Sequence, residues 1–120
     1  MDLNNFKTNN EEWMTVCNIS GEETDIEILI AGRDSEDYKK SSRRFAEARR
    51  KKAKGLKPAE EEQLTLELLA KCTKNWKNLE ENGEKVEFSF ENALDIYKRY
   101  EFVSEQILQF IIERENFLKN

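Results

Sequence analysis

The sequence has no histidine, one proline, four glycines and two cysteines among its 120 residues. The absence of histidine excludes Ser-His-Asp and Cys-His catalytic arrangements and every histidine-ligated metal site. The glycines form neither a dinucleotide-binding motif nor a phosphate-binding loop, and two distant cysteines, Cys17 and Cys72, cannot build a four-ligand zinc site. We therefore expect a protein that is not an enzyme and that uses no metal or cofactor.

Long apolar runs are also missing. No window approaches the ~18 consecutive apolar residues of a membrane-spanning helix, so no membrane segment is predicted. No apolar stretch of signal-peptide length lies near the N-terminus, which argues against export and against a structural disulfide. We expect a protein of a reducing cytoplasm.

Positive charge is concentrated in one segment. The chain has a net charge of -5, yet residues 39–54 contain nine lysines or arginines and one glutamate, a net charge of +8 that leaves -13 on the remainder. One interpretation is contact with the phosphates of nucleic acid. The alternatives are an acidic protein partner and a solvated face whose cations pair with Glu60, Glu61 and Glu62. Because no aromatic residue alternates with the cations as a base-stacking surface requires, we favour the alternatives.

The segment from Pro58 to Gly83 is predicted to form one long helix over about residues 58–82. Pro58 suits the first helical position, glutamates fill the first turn, and Gly83 suits the position after the end. At about 100° per residue, six side chains fall within an arc of roughly 140° and should be buried, while Leu66 and Ala70 lie outside it. The six residues are Leu64, Leu68, Leu69, Cys72, Trp76 and Leu79. We expect Trp76, Leu68, Cys72 and Leu79 to anchor the core.

The first quarter of the chain is predicted to be extended. Residues 1–12 form an irregular lead-in, and a β-hairpin follows over residues 13–31. In its second strand Ile26, Ile28 and Ile30 alternate with other residues. A two-stranded ribbon is marginally stable alone, so this isoleucine face should pack on helices.

Three further helices are predicted. They cover about residues 35–54, 90–100 and 102–118. Asp34 or Ser35 caps the first helix and Gly55 ends it, while Ser89 caps the second. The predicted fold is mainly α, or α+β by strict count, with about four helices and a short N-terminal β-hairpin in one domain over residues 13–118.

The apolar face of the last predicted helix is broad. Leu108 and Ile112 extend it to roughly 220° of arc. A helix wedged between two others needs such a face. The alternative is that Leu108 and Ile112 stay exposed until they meet a partner or a second copy of the chain.

Several short motifs follow one another along nearly the whole chain. They are Met1 to Thr8, Trp13, Tyr38-Lys39-Lys40, Trp76-Lys77-Asn78-Leu79 with Gly83 after it, Val86-Glu87-Phe88-Ser89, Glu91-Asn92-Ala93-Leu94, and Glu113 to Phe117. The most specific part is the succession from Trp76 to Leu94. In this order the motifs resemble the small tail assembly chaperones of long-tailed bacteriophages.

The resemblance implies a non-enzymatic helper in the cytoplasm of the bacterial host that is absent from the mature virion. Such a helper coats the tape measure protein, keeps it soluble and helps recruit tail tube protein; the family offers no catalytic residues. A charged helical domain can hold a helical partner through an apolar stripe framed by charge. We therefore expect Leu108 and Ile112 to contact the partner, and Arg49, Arg50 and Lys51 to pair with its acidic residues.

Overall fold

The computed structural model describes residues 1–119, and within them lie four α-helices and a small antiparallel sheet. Helix accounts for 50% of the chain and strand for 23%, so the fold is mixed α+β, as the strict count predicted. The elements are β1 (Glu11–Cys17), β2 (Glu23–Ala31), α1 (Glu36–Arg50), α2 (Pro58–Lys71), β3 (Thr73–Lys77), β4 (Glu80–Glu81), β5 (Glu84–Lys85), α3 (Phe90–Arg99) and α4 (Glu101–Ile112). One-turn 3-10 helices occupy Leu3–Phe6 and Arg114–Phe117.

The predicted hairpin is part of a larger sheet. Strands β1, β2 and β3 lie side by side in that order, with antiparallel pairing. Strand β1 begins at Glu11, inside the segment predicted to be irregular. Met14 and Val16 of β1 and Ile28 and Ile30 of β2 are buried on the face that α4 contacts. The isoleucine face therefore packs on a helix, as expected from the sequence.

Helix α2 is shorter than predicted. The predicted helix over residues 58–82 ends at Lys71, and Thr73–Lys77 instead form β3, which pairs with β2. The pairing satisfies main-chain groups along one edge of β2, and this tertiary gain outweighs a weak helix preference. At the change of direction the Thr73 hydroxyl donates to the Leu69 carbonyl at 2.9 Å.

Trp76 is buried through the sheet and not through a helix face. Its indole Nε1 donates to the Val86 carbonyl at 2.8 Å, and its ring meets the Phe88 ring edge-on, with the ring centroids 5.2 Å apart. All four expected core anchors are buried: Leu68, Cys72, Trp76 and Leu79. Trp76 and Leu79 reach the core from β3 and from the turn after it.

The buried face of α2 also differs from the predicted arc. Leu66 and Ala70 were expected outside the core but are 7% and 2% exposed, whereas Leu64 is only half-buried. The reason is that α2 contacts α1 as well as α3 and α4. A helix with neighbours on several sides buries more than one stripe.

Gly83 does not end a helix. It lies in the tight turn between β4 and β5 with a φ of 80°, directly after Asn82 with a φ of 55°. Two successive left-handed residues are typical of the two-residue hairpin turn that Asn-Gly favours. Asn82-Gly83 was therefore the signal of a hairpin turn and not of a helix end.

The helix starts follow the predicted signals more closely than the helix ends. Ser35 caps α1, since its Oγ accepts from the Tyr38 N–H at 3.2 Å, and Ser89 caps α3 through the Asn92 N–H at 3.0 Å. Pro58 occupies the first turn of α2. The basic helix ends at Arg50 instead of residue 54.

The last predicted helix, over residues 102–118, ends early at Ile112. Residues Arg114–Phe117 turn away as a 3-10 helix. This turn brings the Phe117 ring onto Gly32, where an added Cβ would lie 3.0 Å from the ring. The C-terminal segment thereby covers the end of the sheet where β1 begins and β2 ends.

Candidate partner-binding groove

Helix α1 is the least buried of the four helices. None of its residues is fully buried, and it packs mainly on α2. Tyr38, Phe45 and Ala48 are half-buried along one side, where they form a thin apolar stripe. The helix therefore stands on the outside of the domain and forms walls for surface grooves on both of its sides.

One groove lies where α1, α2 and α4 meet, and we call it the central groove. Its volume is about 310 Å³. Its lining includes Tyr38, Phe45, Arg49, Thr65, Leu68 and Leu108. Most of these side chains are apolar, and a single cation lies among the six.

Leu108 and Ile112 lie one helical turn apart on the outer side of α4. They are 38% and 40% exposed, which is high for large aliphatic side chains. Leu108 lies in the central groove and also borders a smaller hollow of about 220 Å³ that includes Glu62, Glu101 and Glu105. This leucine is therefore flanked on one side by a mostly apolar groove that contains Arg49 and on the other by an acidic hollow.

The three cations expected to bind a partner do not form one cluster. Arg49 lines the central groove, with its guanidinium 4.6 Å from the centre of the Phe45 ring. Lys51 lines a separate groove of about 590 Å³ on the other side of the α1–α2 pair, together with Leu56. Arg50 lies in neither groove. Of the five predicted partner-binding residues, the central groove thus brings together Arg49 and Leu108.

Part of the basic charge is paired within the chain, as one interpretation of the sequence allowed. The pairs with α2 are Arg44–Glu67 at 3.5 Å, Arg49–Glu61 at 3.2 Å and Lys52–Glu60 at 3.4 Å. Such solvent-exposed pairs contribute at most about 1 kcal/mol each. Arg50 and Lys51 have no ion-pair partner among residues 1–119. They are therefore free to meet an acidic partner.

Burial and local hydrogen bonds account for the perturbed pKa values of Cys72 and Glu81. Burial, reinforced by the Asp37 carboxylate, raises the pKa of the Cys72 thiol to about 12, so Cys72 is a protonated core residue and no nucleophile. Hydrogen bonds from the Arg99 guanidinium and the Tyr100 hydroxyl lower the pKa of Glu81 to about 2. This cluster ties β4 to the end of α3.

Metal-ligand clusters and membrane-spanning helices are both absent from the described residues. Among residues 1–119, cysteine and acidic side chains nowhere gather in threes as metal ligands would. No helix in that range has both the length and the apolar character to cross a membrane.

The groove was not predicted from the sequence, although Tyr38 and Phe45 form an apolar stripe on the basic helix. The stripe is thin because Ser41 and Ser42 interrupt it. A helix with such a thin stripe covers its neighbour incompletely, and this was the only sign of a groove that the sequence offered. Which residue completes the groove depends on the approach of α4, which is remote in sequence.

Comparisons of this chain with protein-family models, with curated proteins and with solved structures find no match. The function of the chain therefore has to be inferred from its residues and their arrangement. The exposed part of that arrangement is an apolar groove framed by charge, of the kind that binds another polypeptide.

Proposed function

We propose that this chain is a non-enzymatic assembly chaperone of a long-tailed bacteriophage, which binds the tape measure protein and helps the tail tube to assemble. It acts in the cytoplasm of the bacterial host and does not remain in the mature virion. The resemblance in sequence supports the family, and the central groove supports polypeptide binding. The observation that carries the proposal is the exposed Leu108 in a groove beside Arg49.

The motifs that carry the resemblance have structural roles in this fold. The Trp76 indole donates a hydrogen bond to the Val86 carbonyl, Gly83 lies in the turn between β4 and β5, and Ser89 caps α3. Asn92 ties that cap to the preceding segment by donating from Nδ2 to the Glu87 carbonyl at 2.8 Å. The resemblance therefore supports a shared fold, and the binding surface has to be inferred from exposure and charge.

The shape of the central groove favours an amphipathic helix as its occupant. The groove is bounded by three helices, and such grooves accept the apolar stripe of a further helix. A partner's apolar side chains would cover Phe45 and Leu108, and an acidic residue of the partner would reach Arg49, which lines the same groove. A tape measure protein is long and helical, so it offers many such stripes.

Co-expression tests the proposal. A tape measure segment is produced alone, with the wild-type chain, with a Leu108→Lys variant and with an Ile19→Lys variant, and its soluble yield is measured. Ile19 is 86% exposed in the β1–β2 turn, so the control places the same charge at another apolar surface site. The proposal predicts that the wild-type chain and the Ile19→Lys control raise the yield and that Leu108→Lys does not. Equal yields with and without the chain would count against it.

The second candidate is a nucleic-acid-associated or regulatory phage protein that acts through the basic residues 39–54. Arg50 and Lys51, at the exposed end of α1, have no ion-pair partner within residues 1–119, and this favours the second candidate. Phosphate contacts release counterions, so affinity for DNA would fall steeply between low and moderate salt. An absence of DNA binding at low salt would remove this candidate.

A further inference from the structure

Strand β1 is an edge of the three-stranded sheet, and its main-chain groups alternate in direction. In an antiparallel pair, every second residue exchanges hydrogen bonds with the neighbouring strand. The Gly32 N–H donates to the Asn10 carbonyl, which places the even-numbered residues of this segment toward β2. The odd-numbered residues, Glu11 to Cys17, therefore direct their N–H and C=O groups away from the sheet.

A side chain closes one end of this outer edge. The Gln106 amide accepts from the Cys17 N–H at 2.8 Å and donates to the Cys17 carbonyl at 2.9 Å. These are the two bonds that a facing residue on a neighbouring strand would make. At Cys17 the Gln106 side chain therefore takes the place of a neighbouring strand.

The C-terminal segment closes the other end. The Asn9 N–H donates to the Phe117 carbonyl, and the Lys119 N–H donates to the Lys7 carbonyl at 3.3 Å. Between the two closed ends, the outward main-chain groups of Glu11, Trp13 and Thr15 have no hydrogen-bond partner among residues 1–119. We call these three residues the open edge.

A shallow groove of about 320 Å³ runs beside the open edge. It is lined by Met14 and Thr15 of β1 and by Gln106, Gln109, Phe110 and Glu113 from α4 and the residue after it. A strand added at this edge would direct alternate side chains toward Phe110 and the others toward the Trp13 side. The exposed carboxylates of Glu11 and Glu113 favour a basic residue in such a strand.

We propose that the open edge binds an extended segment of a partner polypeptide as a fourth strand, with an apolar residue over Phe110 and a basic residue near Glu113. Only an extended backbone presents N–H and C=O groups at the spacing of this edge. Recognition through main-chain groups tolerates many sequences. This second site goes beyond the proposed function, since the central groove accepts a helix and the open edge an extended chain.

A model peptide tests the inference without a natural partner. The probe is an eight-residue peptide in which six alternating valines and threonines lie between two terminal lysines. Its matched control carries N-methyl groups on the four central amides. Backbone NMR of the full chain follows the amides of Trp13 and Thr15 during titration. We expect the parent peptide to bind and to slow hydrogen exchange at these amides, and the methylated peptide to bind at least about tenfold more weakly.

A variant of the chain provides the reciprocal test. Thr15→Pro removes one outward N–H, at a position where an edge strand tolerates proline, and Thr15→Val retains it. We expect about tenfold weaker binding by Thr15→Pro and unchanged binding by Thr15→Val. Equal affinity for the two peptides, no binding at millimolar peptide, or NMR shifts confined to Leu108 and its neighbours would each overturn the inference. The peptide comparison decides the matter even if Thr15→Pro does not fold, and it is independent of the co-expression result.

Discussion

A buried hydroxyl pair holds the junction between α2 and β3 to α3, and its energy can be measured. Thr73 and Tyr97 are 4% and 0% exposed, and their hydroxyl oxygens lie 2.7 Å apart. Thr73 has one hydroxyl proton, and it donates that proton to the Leu69 carbonyl at 2.9 Å. Tyr97 must therefore be the donor between the two hydroxyls, and burial raises its pKa so that the proton is retained.

Each substitution at this pair has a predictable cost. Tyr97→Phe removes one hydrogen bond and leaves Thr73 bonded to Leu69, so it should cost about 1 kcal/mol. Thr73→Val leaves the buried Tyr97 hydroxyl without an acceptor and should cost about 1 to 3 kcal/mol. Because the double variant removes both hydroxyls, it should be about 1 kcal/mol more stable than the sum of the single effects predicts.

Urea unfolding at neutral pH measures this coupling. The transition midpoint should shift while the slope stays constant, since the surface exposed on unfolding is the same. Tyr38→Phe is the matched control, because the Tyr38 hydroxyl has no hydrogen-bond partner among residues 1–119. Additive effects of Thr73→Val and Tyr97→Phe would refute the reasoning and, with it, the placement of Thr73 at the start of a strand facing α3.

Two further predictions concern packing and pH. Gly32→Ala places a methyl group 3.0 Å from the buried Phe117 ring, so it should cost about 1 to 3 kcal/mol and lower the melting temperature; an unchanged melting temperature would contradict this packing. The pKa of Glu81 is lowered from 4.5 to about 2 by Arg99 and Tyr100, so its contribution to stability is complete above pH 4.5 and is lost as the pH falls toward 2. Urea unfolding should therefore show a smaller loss of stability over that range for Glu81→Gln than for the wild-type chain, and equal losses would exclude the ion pair as the cause.

Local signals predicted those parts of the fold that local interactions determine. Ser35, Pro58 and Ser89 begin helices because their contacts lie within one turn. The prediction that the helix continues after Lys71 was wrong for the opposite reason, because the contacts of that segment are remote in sequence. Trp76 fits a helical arc, but it lies in β3 because the second edge of β2 pairs with a segment 43 to 50 residues further along the chain.

The candidate site was predictable only in part. The broad apolar face of α4 indicated that Leu108 and Ile112 could stay exposed, and both are exposed in the structure. The central groove was not predictable, since it needs Phe45 and Leu108 to meet across three helices. The same holds for Gln106 at the edge of β1, because it lies 89 positions from Cys17 in the sequence.

The main proposal is that the central groove binds another polypeptide through Leu108. Its most direct test is the dissociation constant of a purified tape measure segment for the wild-type chain, for Leu108→Lys and for Ile19→Lys, with circular dichroism to establish that all three are folded. The account predicts binding at least about tenfold weaker for Leu108→Lys and unchanged for Ile19→Lys. Equal dissociation constants for the three chains would contradict it.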